Sequence, residues 1–389
     1  MPYSFGIEEE YFVVDRRTGG IRSELSKGFM ASAGRSLGSH LMTELLQSQI
    51  EVATRPLESA AAARDELMRF RRTLADAGRE HGVGIVAAGT HPLARPHQNR
   101  TTSARRYTEV IDQLGWVGLG SALCGLHVHV EVPEPARRAD IMRRLVPFLP
   151  MLLALSTSSP FWAGFDTGLL GYRNAANDAF PRSGFPEMFA SDAEYRAYVE
   201  ALTRANIIPD ATYIWWALRP SLHHPTLELR LTDVCTCVDD AVAIAALYRA
   251  LVRHVAVHTE TNATFSALAR ALTEENRWRA QRYGTDGTYV DVATAEAKPF
   301  RVLLNDVLAL VGDEIAAFGH EAEAEHLRRI VRRGTSAHRQ IEVYRALRAE
   351  GHRAALRGVT RWLMASTEAG DFVPLEPRAR NETLRATLS

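Results

Sequence analysis

The chain has 389 residues, enough for a large core in one or two domains, and its 46 Lys plus Arg balance 46 Asp plus Glu to a formal net charge of zero. That balance removes the global electrostatic case for nucleic acid or an anionic membrane as partner, and the longest apolar region, Leu145 to Leu155, is about half a membrane span and is broken by Pro147 and Pro150. No basic leader with a following apolar segment opens the chain, and Cys124, Cys235 and Cys237 form no disulfide framework, so a cytoplasmic, reducing setting is expected.

The first element is a strand around Tyr3–Val14, where aromatic and β-branched residues flank Gly6-Ile-Glu-Glu-Glu10. Side chains alternate along a strand, so Glu8 and Glu10 share one face, while Glu9 points the other way between Ile7 and Tyr11. For Glu9 an exposed strand end and pairing with an arginine both stay open. In Gln49–Thr54, Gln49, Glu51 and Ala53 share a face and Ile50 and Val52 the other. Pro56–His81 reads as a helix with Leu67, Phe70 and Leu74 on one stripe, followed by a short strand at Ile85–Ala88. Residues 104–114 and 136–156 are expected to be helical, the second broken near its prolines. Between them, Gly125–Val132 alternates His127, His129 and Glu131 against Leu126, Val128, Val130 and Val132. Gly164–Pro186 reads as a long loop and Tyr213–Leu218 as a strand entering Arg219-Pro220. Thr226–Asp233 then alternates Glu228, Arg230 and Thr232 against Leu227, Leu229 and Leu231. From Val238 onward the spacing is helical over 238–260, 265–282, 297–318, 321–332 and 337–367. The expectation is one domain over 1–370, helical from about 238, with a loosely ordered tail over 371–389.

Strict alternation in four segments predicts one antiparallel sheet of an α+β fold, its apolar face on helices and its polar face lining a cavity. That face would gather Glu8, Glu10, Glu51, His127, His129, Glu228 and Arg230. A solvated face ordinarily mixes Thr, Lys, Ser and Arg; these four segments carry mainly Glu and His and no lysine. Glutamates are rarely buried unless paired or bound to a cation, and an oxygen-rich set with one or two imidazoles suits Mg²⁺ or Mn²⁺. Arg230, Arg219 and Arg173 are available to share the charge of a transferring phosphoryl group. No GxxxxGK[ST] loop exists, and Gly118-Leu-Gly120 followed by Gly125 does not fit GxGxxG, so a nucleotide would be held by metals and arginines. Other residues take plainer readings. Cys235 and Cys237 have poor zinc spacing, and Trp215-Trp216 is mainly core, with at most one ring free to stack on a base. His91 beside proline reads as structural, and His223-His224 as an exposed turn. Gln98 is a candidate substrate contact.

Gly6-Ile-Glu-Glu-Glu10, Glu51-Val-Ala-Thr54, Gly89-Thr-His-Pro92, Gly125-Leu-His-Val-His-Val130, Leu155-Ser-Thr-Ser-Ser-Pro160, Gly171-Tyr-Arg173, Glu228-Leu-Arg230 with Asp233, and Asn276 leading to Arg282-Tyr-Gly284 occur in this order. Together they resemble the carboxylate–amine ligases of the glutamate–cysteine ligase type 2 family, over roughly residues 3–365. The resemblance implies a glutamine-synthetase-like fold whose curved antiparallel sheet forms an open funnel. It also implies ATP-dependent ligation through an acyl phosphate, with Mg²⁺ or Mn²⁺ bridging the nucleotide, in a homodimer. Carried over by position, Glu8, Glu10, Glu51, His127 and Glu228 look like metal ligands, and Arg230 and Arg173 like phosphate or carboxylate clamps. Glu44 is similar to a further acidic position on the cysteine side. His129 could ligate, bind phosphate or take a proton from the amine, and Gly164–Pro186 is the candidate cover over the acyl phosphate. The substrates implied are glutamate and cysteine, with another acid and amine as the alternative. A metal-dependent hydrolase, suggested by His-Val-His, would want further histidines on later strands where this chain has Glu228-Leu-Arg230. A ligase-like binding protein that holds nucleotide or amino acid without turnover ranks last, because the acidic set is intact.

Overall fold

The computed structural model describes residues 2–95, 98–120 and 122–375. Seven strands form one sheet: β1 (Phe5–Asp15), β2 (Leu41–Thr43), β3 (Gln49–Ala53), β4 (Val83–Val86), β5 (Leu126–Glu131) and, after a small hairpin of β6 (Phe161–Trp162) and β7 (Phe165–Asp166), β8 (Leu218–Pro220) and β9 (Thr226–Leu229). Their spatial order is β2-β3-β1-β5-β9-β8, with β4 on the far end of β1, and every pairing is antiparallel. A second hairpin, β10 (Thr288–Val290) with β11 (Ala297–Pro299), lies among the later helices.

The helices are α1 (Lys27–Leu37), α2 (Ala60–His81), α3 (Arg105–Leu114), α4 (Trp116–Leu119), α5 (Arg138–Leu145), α6 (Leu149–Ser156), α7 (Tyr172–Asn177), α8 (Asp192–Arg204), α9 (Val238–Val257), α10 (Ala267–Tyr283), α11 (Phe300–Leu310), α12 (Gly312–Phe318), α13 (Glu321–Arg333), α14 (Ser336–Leu347) and α15 (His352–Ala369). The helix expected from Pro56 starts four residues later, because the Ser59 hydroxyl accepts from Ala62 N (3.2 Å) and so caps it. It stops at Gly82, whose φ of 64° suits glycine. The expected break near Pro147 is a 3₁₀ turn over Val146–Phe148.

Alternation sorts the sheet as expected. Ile7, Ile50, Val52, Leu126, Val128, Leu227 and Leu229 are buried in one apolar cluster that also takes in α9, α13 and α15. Each such side chain removed from water stabilises the fold by roughly 1.5–3 kcal/mol.

Three expectations are corrected. The strand expected over Tyr213–Leu218 begins only at Leu218, in β8: Asp210 caps a 3₁₀ turn at Ala211–Tyr213, and Trp215 N and Ala217 N bond to the carbonyls of Arg182 (2.9 Å) and Gly184 (2.7 Å). Gly164–Pro186 is not a structureless loop, since it includes β7 and α7. Its backbone is tied down by Leu170 N and Gly171 N, which both donate to Gln281 O (2.8 and 2.9 Å). The strand at Thr226 ends at Leu229, after which Arg230 N turns to Ala217 O (2.8 Å). Of the expected tail, residues 371–375 dock on α15, where Trp362 Nε1 donates to Val373 O (2.9 Å) and the Trp362 and Phe372 rings lie 5.6 Å apart. Residues 376–389 lie outside the described residues.

Candidate active site

Strand register assembles the site. Glu10 lies opposite Glu51, Glu8 opposite His127, Gly6 opposite His129, His129 opposite Glu228, and Glu228 opposite Arg219. Directly opposed residues of an antiparallel pair share a face, so one face carries the whole set as a diagonal row across five strands, on the successive rungs Glu51–Glu10, Ala53–Glu8–His127 and Gly6–His129–Glu228–Arg219. His127 Nδ1 meets Glu8 Oε2 at 3.3 Å, and its Nε2 is 3.7 Å from Glu10 Oε1. His129 Nδ1 bonds to Thr226 Oγ1 (2.9 Å), which leaves Nε2 3.3 Å from Glu8 Oε1 without hydrogen-bond alignment. Glu44 arrives from the β2–β3 turn. Three overlapping trios result, Glu8–His129–Glu228, Glu8–Glu51–His127 and Glu10–Glu44–Glu51, each with ligand atoms within 4.8 Å of one another.

The charges divide this row into two halves. Glu228 is buried, yet Arg230 and Arg219 outweigh that burial and hold its carboxyl well below the ordinary range. Arg219 reaches it through Nε (2.7 Å) and Nη2 (3.2 Å), and Arg230 through Nη1. Burial also opposes ionisation of Glu8, but the hydrogen bond with His127 and the nearness of His129 prevail and lower its pKa. At the other end no cation compensates fully. Burial, then Glu44, pushes Glu10 up to about 7 against the pull of Arg173. Burial with Glu8, Glu44 and Glu10 pushes Glu51 well above its usual value. Burial and Arg230 push His127 down to about 4, leaving a neutral imidazole able to ligate. Carboxylates crowded this closely, with the Nε2 atoms of His127 and His129 buried and unpartnered, fit divalent cations.

Arg173 stands on α7, where Ser159 Oγ accepts from its backbone N–H (3.0 Å). Its Nη1 donates to the carbonyls of Arg230, Leu231 and Thr232 (3.3, 3.3 and 3.2 Å) as it crosses the start of β5. A Cβ on Gly125 would collide with that guanidinium and with His127 Nε2, so a side chain there would displace two groups of the site. Arg173, Asn174, Asn177, Trp215 and Arg230 line a small polar cavity at this end. Trp215 is thus the ring of the pair that meets the cavity, while Trp216 is buried and stacks on Tyr198 (5.6 Å, 14°). At the opposite end Gly6, Glu8, Ala53, His129, His224 and Pro225 border a pocket of about 250 Å³. A larger cavity of about 470 Å³, between α6, α10, α11 and the β10 hairpin, contains none of these residues.

Several motifs hold the site in place. Asp233 Oδ2 accepts from Ser158 N (3.0 Å) and Ser159 Oγ (2.6 Å), and a Cβ on Gly89 would lie 2.6 Å from its carboxyl carbon. His91 is fully buried. Its Nδ1 accepts from Leu93 N and Ala94 N (both 3.1 Å) and its Nε2 bonds to Gly19 O (3.0 Å), so it locks a turn. Gln98 is exposed and closes a local turn with Arg95 N (3.2 Å). Arg219 gives Nη1 to Thr212 O and Ile214 O (3.1 and 2.8 Å) besides its two bonds to Glu228, which makes it a clamp on Glu228. Tyr107 was not foreseen. It is half-buried, donates to Thr43 O (2.8 Å), and burial, Glu44 and Glu51 push its hydroxyl up to about 12. Helical periodicity around it carries no mark of its nearness to the acidic row.

The glutamate–cysteine ligase family 2 model matches residues 4–358. The chain is 46% identical over 367 residues, 94% of its length and 88% of the relative's, to a protein of Bradyrhizobium sp. (strain ORS 278) provisionally named glutamate–cysteine ligase 2. A Rhodospirillum rubrum protein of the same provisional name is 43% identical over 373 residues, covering 94% of this chain and 96% of the relative. Among solved structures, glutamate–cysteine ligase from Francisella tularensis in complex with AMP superposes with a TM-score of 0.65 at 13% identity, over 95% of this chain and 89% of that one. A bifunctional glutathione synthetase from Pasteurella multocida gives 0.62 at 14% identity, over 94% of this chain and 52% of that one. These likenesses bear out the α+β ligase fold that the sequence motifs implied.

Proposed function

The chain belongs to glutamate–cysteine ligase family 2, and on that premise we propose that it is an ATP-dependent carboxylate–amine ligase that joins glutamate to cysteine through a γ-glutamyl acyl phosphate. The observation that carries this reading is the acidic row, over-supplied with carboxylates at one end and clamped by arginines at the other. We assign Mg²⁺ or Mn²⁺ to Glu8, Glu10, Glu51, His127 and Glu228, with Glu44 and His129 as further donors. Bound there, the ions would neutralise the phosphoryl oxygens of ATP.

The chain's own groups then do the following. Arg219 fixes Glu228, and Arg230, with one nitrogen on Glu228, presents the rest of its fork to the transferring phosphate. The pocket bordered by Gly6, Ala53, His224 and Pro225 takes the nucleotide base. The polar cavity of Arg173, Asn174, Asn177 and Trp215, about 30 Å³, takes one end of the amino acid. The substrate carboxylate attacks the γ-phosphorus and ADP leaves; the amine attacks the acyl carbon, phosphate departs, and an amide remains. The Gly164–Pro186 segment, which delivers Arg173, walls this region from water. A hydrolytic zinc centre is disfavoured by two guanidiniums on Glu228, which suit phosphate. We place the enzyme in the cytoplasm as a homodimer; no described helix is long and apolar enough to cross a membrane.

The test is a panel of acid–amine pairs with ATP and Mg²⁺ or Mn²⁺, scored by ADP release and by product mass. Glutamate with cysteine is expected to give a γ-glutamyl amide, and Glu228→Gln to abolish it without unfolding the chain. Product from a different pair alone would keep the ligase and replace its substrates. No pair exceeding the substrate-free background would end the proposal.

A further inference from the structure

A second group of ligand-type side chains lies on α9 and α12, in the helical layer and outside the acidic row. His254 lies in the last turn of α9 and His258 is the residue directly after the helix, and their rings stack on one side. Glu314, in the first turn of α12, faces both. Its Oε2 is 3.1 Å from His254 Nδ1 and its Oε1 is 3.8 Å from His258 Nε2, with the rings 4.3 Å apart. One nitrogen from each histidine and one carboxylate oxygen fall within 4.8 Å of one another.

We infer that His254 Nδ1, His258 Nε2 and Glu314 form a binding site for a borderline divalent cation of the zinc class, joining the end of α9 to α12. The outer partners support this. A ligating imidazole ordinarily has its second nitrogen held by an oxygen, which sets the tautomer and aims the ring. Here His254 Nε2 meets Thr261 Oγ1 at 3.2 Å, and His258 Nδ1 lies 3.5 Å from Glu260 Oε1. Both partners come from the turn directly after α9. Two imidazoles and one carboxylate, with a side open to water, is the donor set of a three-ligand zinc site. The open side is real: the His258 side chain is 40% exposed, against 6% for His254 and 2% for Glu314. Arg253 Nη1 also reaches Glu314 Oε1 at 3.2 Å. That cation disfavours a hard ion held by charge alone, such as Mg²⁺, and leaves selection to the imidazoles.

The experiment uses the full-length chain saturated with Mg²⁺, so that the acidic row is occupied, and titrates it with Co²⁺ and with Zn²⁺. One equivalent of cobalt should develop the intense visible bands of a four-coordinate site, and one equivalent of zinc should displace it. His258→Gln, at a half-exposed position that should fold, removes the bands, while Glu51→Gln keeps them. Thr261→Val, which loses only the outer partner of His254, should weaken zinc on the order of tenfold. Bands that are absent in the wild type, or that persist in His258→Gln, would overturn the inference. So would bands lost in Glu51→Gln with His258→Gln unaffected, since the ion would then sit in the acidic row.

Discussion

Glu9 and its neighbours Glu8 and Glu10 are consecutive in sequence, yet the two faces of β1 treat them oppositely. On the apolar face, Glu9 and Arg71 are both fully buried and paired at 2.5 Å. Tyr11 donates its hydroxyl to Glu9, and Arg71 satisfies its remaining donors on Cys235 O (2.7 Å) and Thr236 O (2.6 Å). On the cavity face, Glu10 lies opposite Glu51 with Glu44 beside them, and no full complement of cations is supplied by the chain. On this strand, the charge that the protein neutralises itself is structural, and the charges left in want of a counter-charge face the ligand site.

The sharpest way to break this comparison is to remove one charge from each face. Glu51→Gln should lower ligation on the order of 10³-fold, the several kcal/mol expected of a lost metal interaction, with folding intact by circular dichroism. Arg71→Met should do the reverse. It leaves Glu9 buried and unpaired, so urea unfolding should show a loss of about 3–5 kcal/mol, while turnover per folded molecule stays near that of the wild type. Glu9→Leu combined with Arg71→Met should recover much of that loss. If Arg71→Met instead folds normally and is inactive, the two faces are not distinct in role.

A smaller effect concerns His91, the buried turn lock. Burial lowers its pKa to about 4 from an ordinary 6.5, the hydrogen bond to Gly19 O only partly offsetting this. The unfolded chain therefore binds more protons between those values, and stability rises with pH across that window. Urea unfolding should show the wild type losing about 2 kcal/mol from this group between pH 7 and pH 5, a loss that His91→Gln should not share. An equal pH dependence in both proteins would remove His91 as its source.

The comparison also marks how far the sequence could be read. Alternation in Phe5–Asp15, Gln49–Ala53 and Leu126–Glu131 is a local pattern with period two, and it correctly placed Glu8, Glu10, Glu51, His127 and His129 on one face. Partners that depend on tertiary packing left no such trace. Arg71 reaches Glu9 from the middle of α2, and Arg219 reaches Glu228 only through the register of β8 with β9. The stretch 214–217 looked extended because its rings and β-branched residue favour strands, but its backbone bonds to the 182–184 segment instead. Asp233, with Ser158, Ser159 and Gly89, was visible as a set of motifs, whereas its task of joining them required three-dimensional contacts.

The most direct measurement is urea unfolding of the wild type and Glu10→Gln, each with and without Mg²⁺. Without the ion, Glu10→Gln should be at least as stable as the wild type, because one of several crowded carboxylates has lost its charge. With Mg²⁺ at a hundred times its dissociation constant, the wild type should gain about 2.7 kcal/mol and Glu10→Gln markedly less. A wild type indifferent to Mg²⁺, or an equal gain in Glu10→Gln, would contradict the assignment of the acidic row to divalent cations.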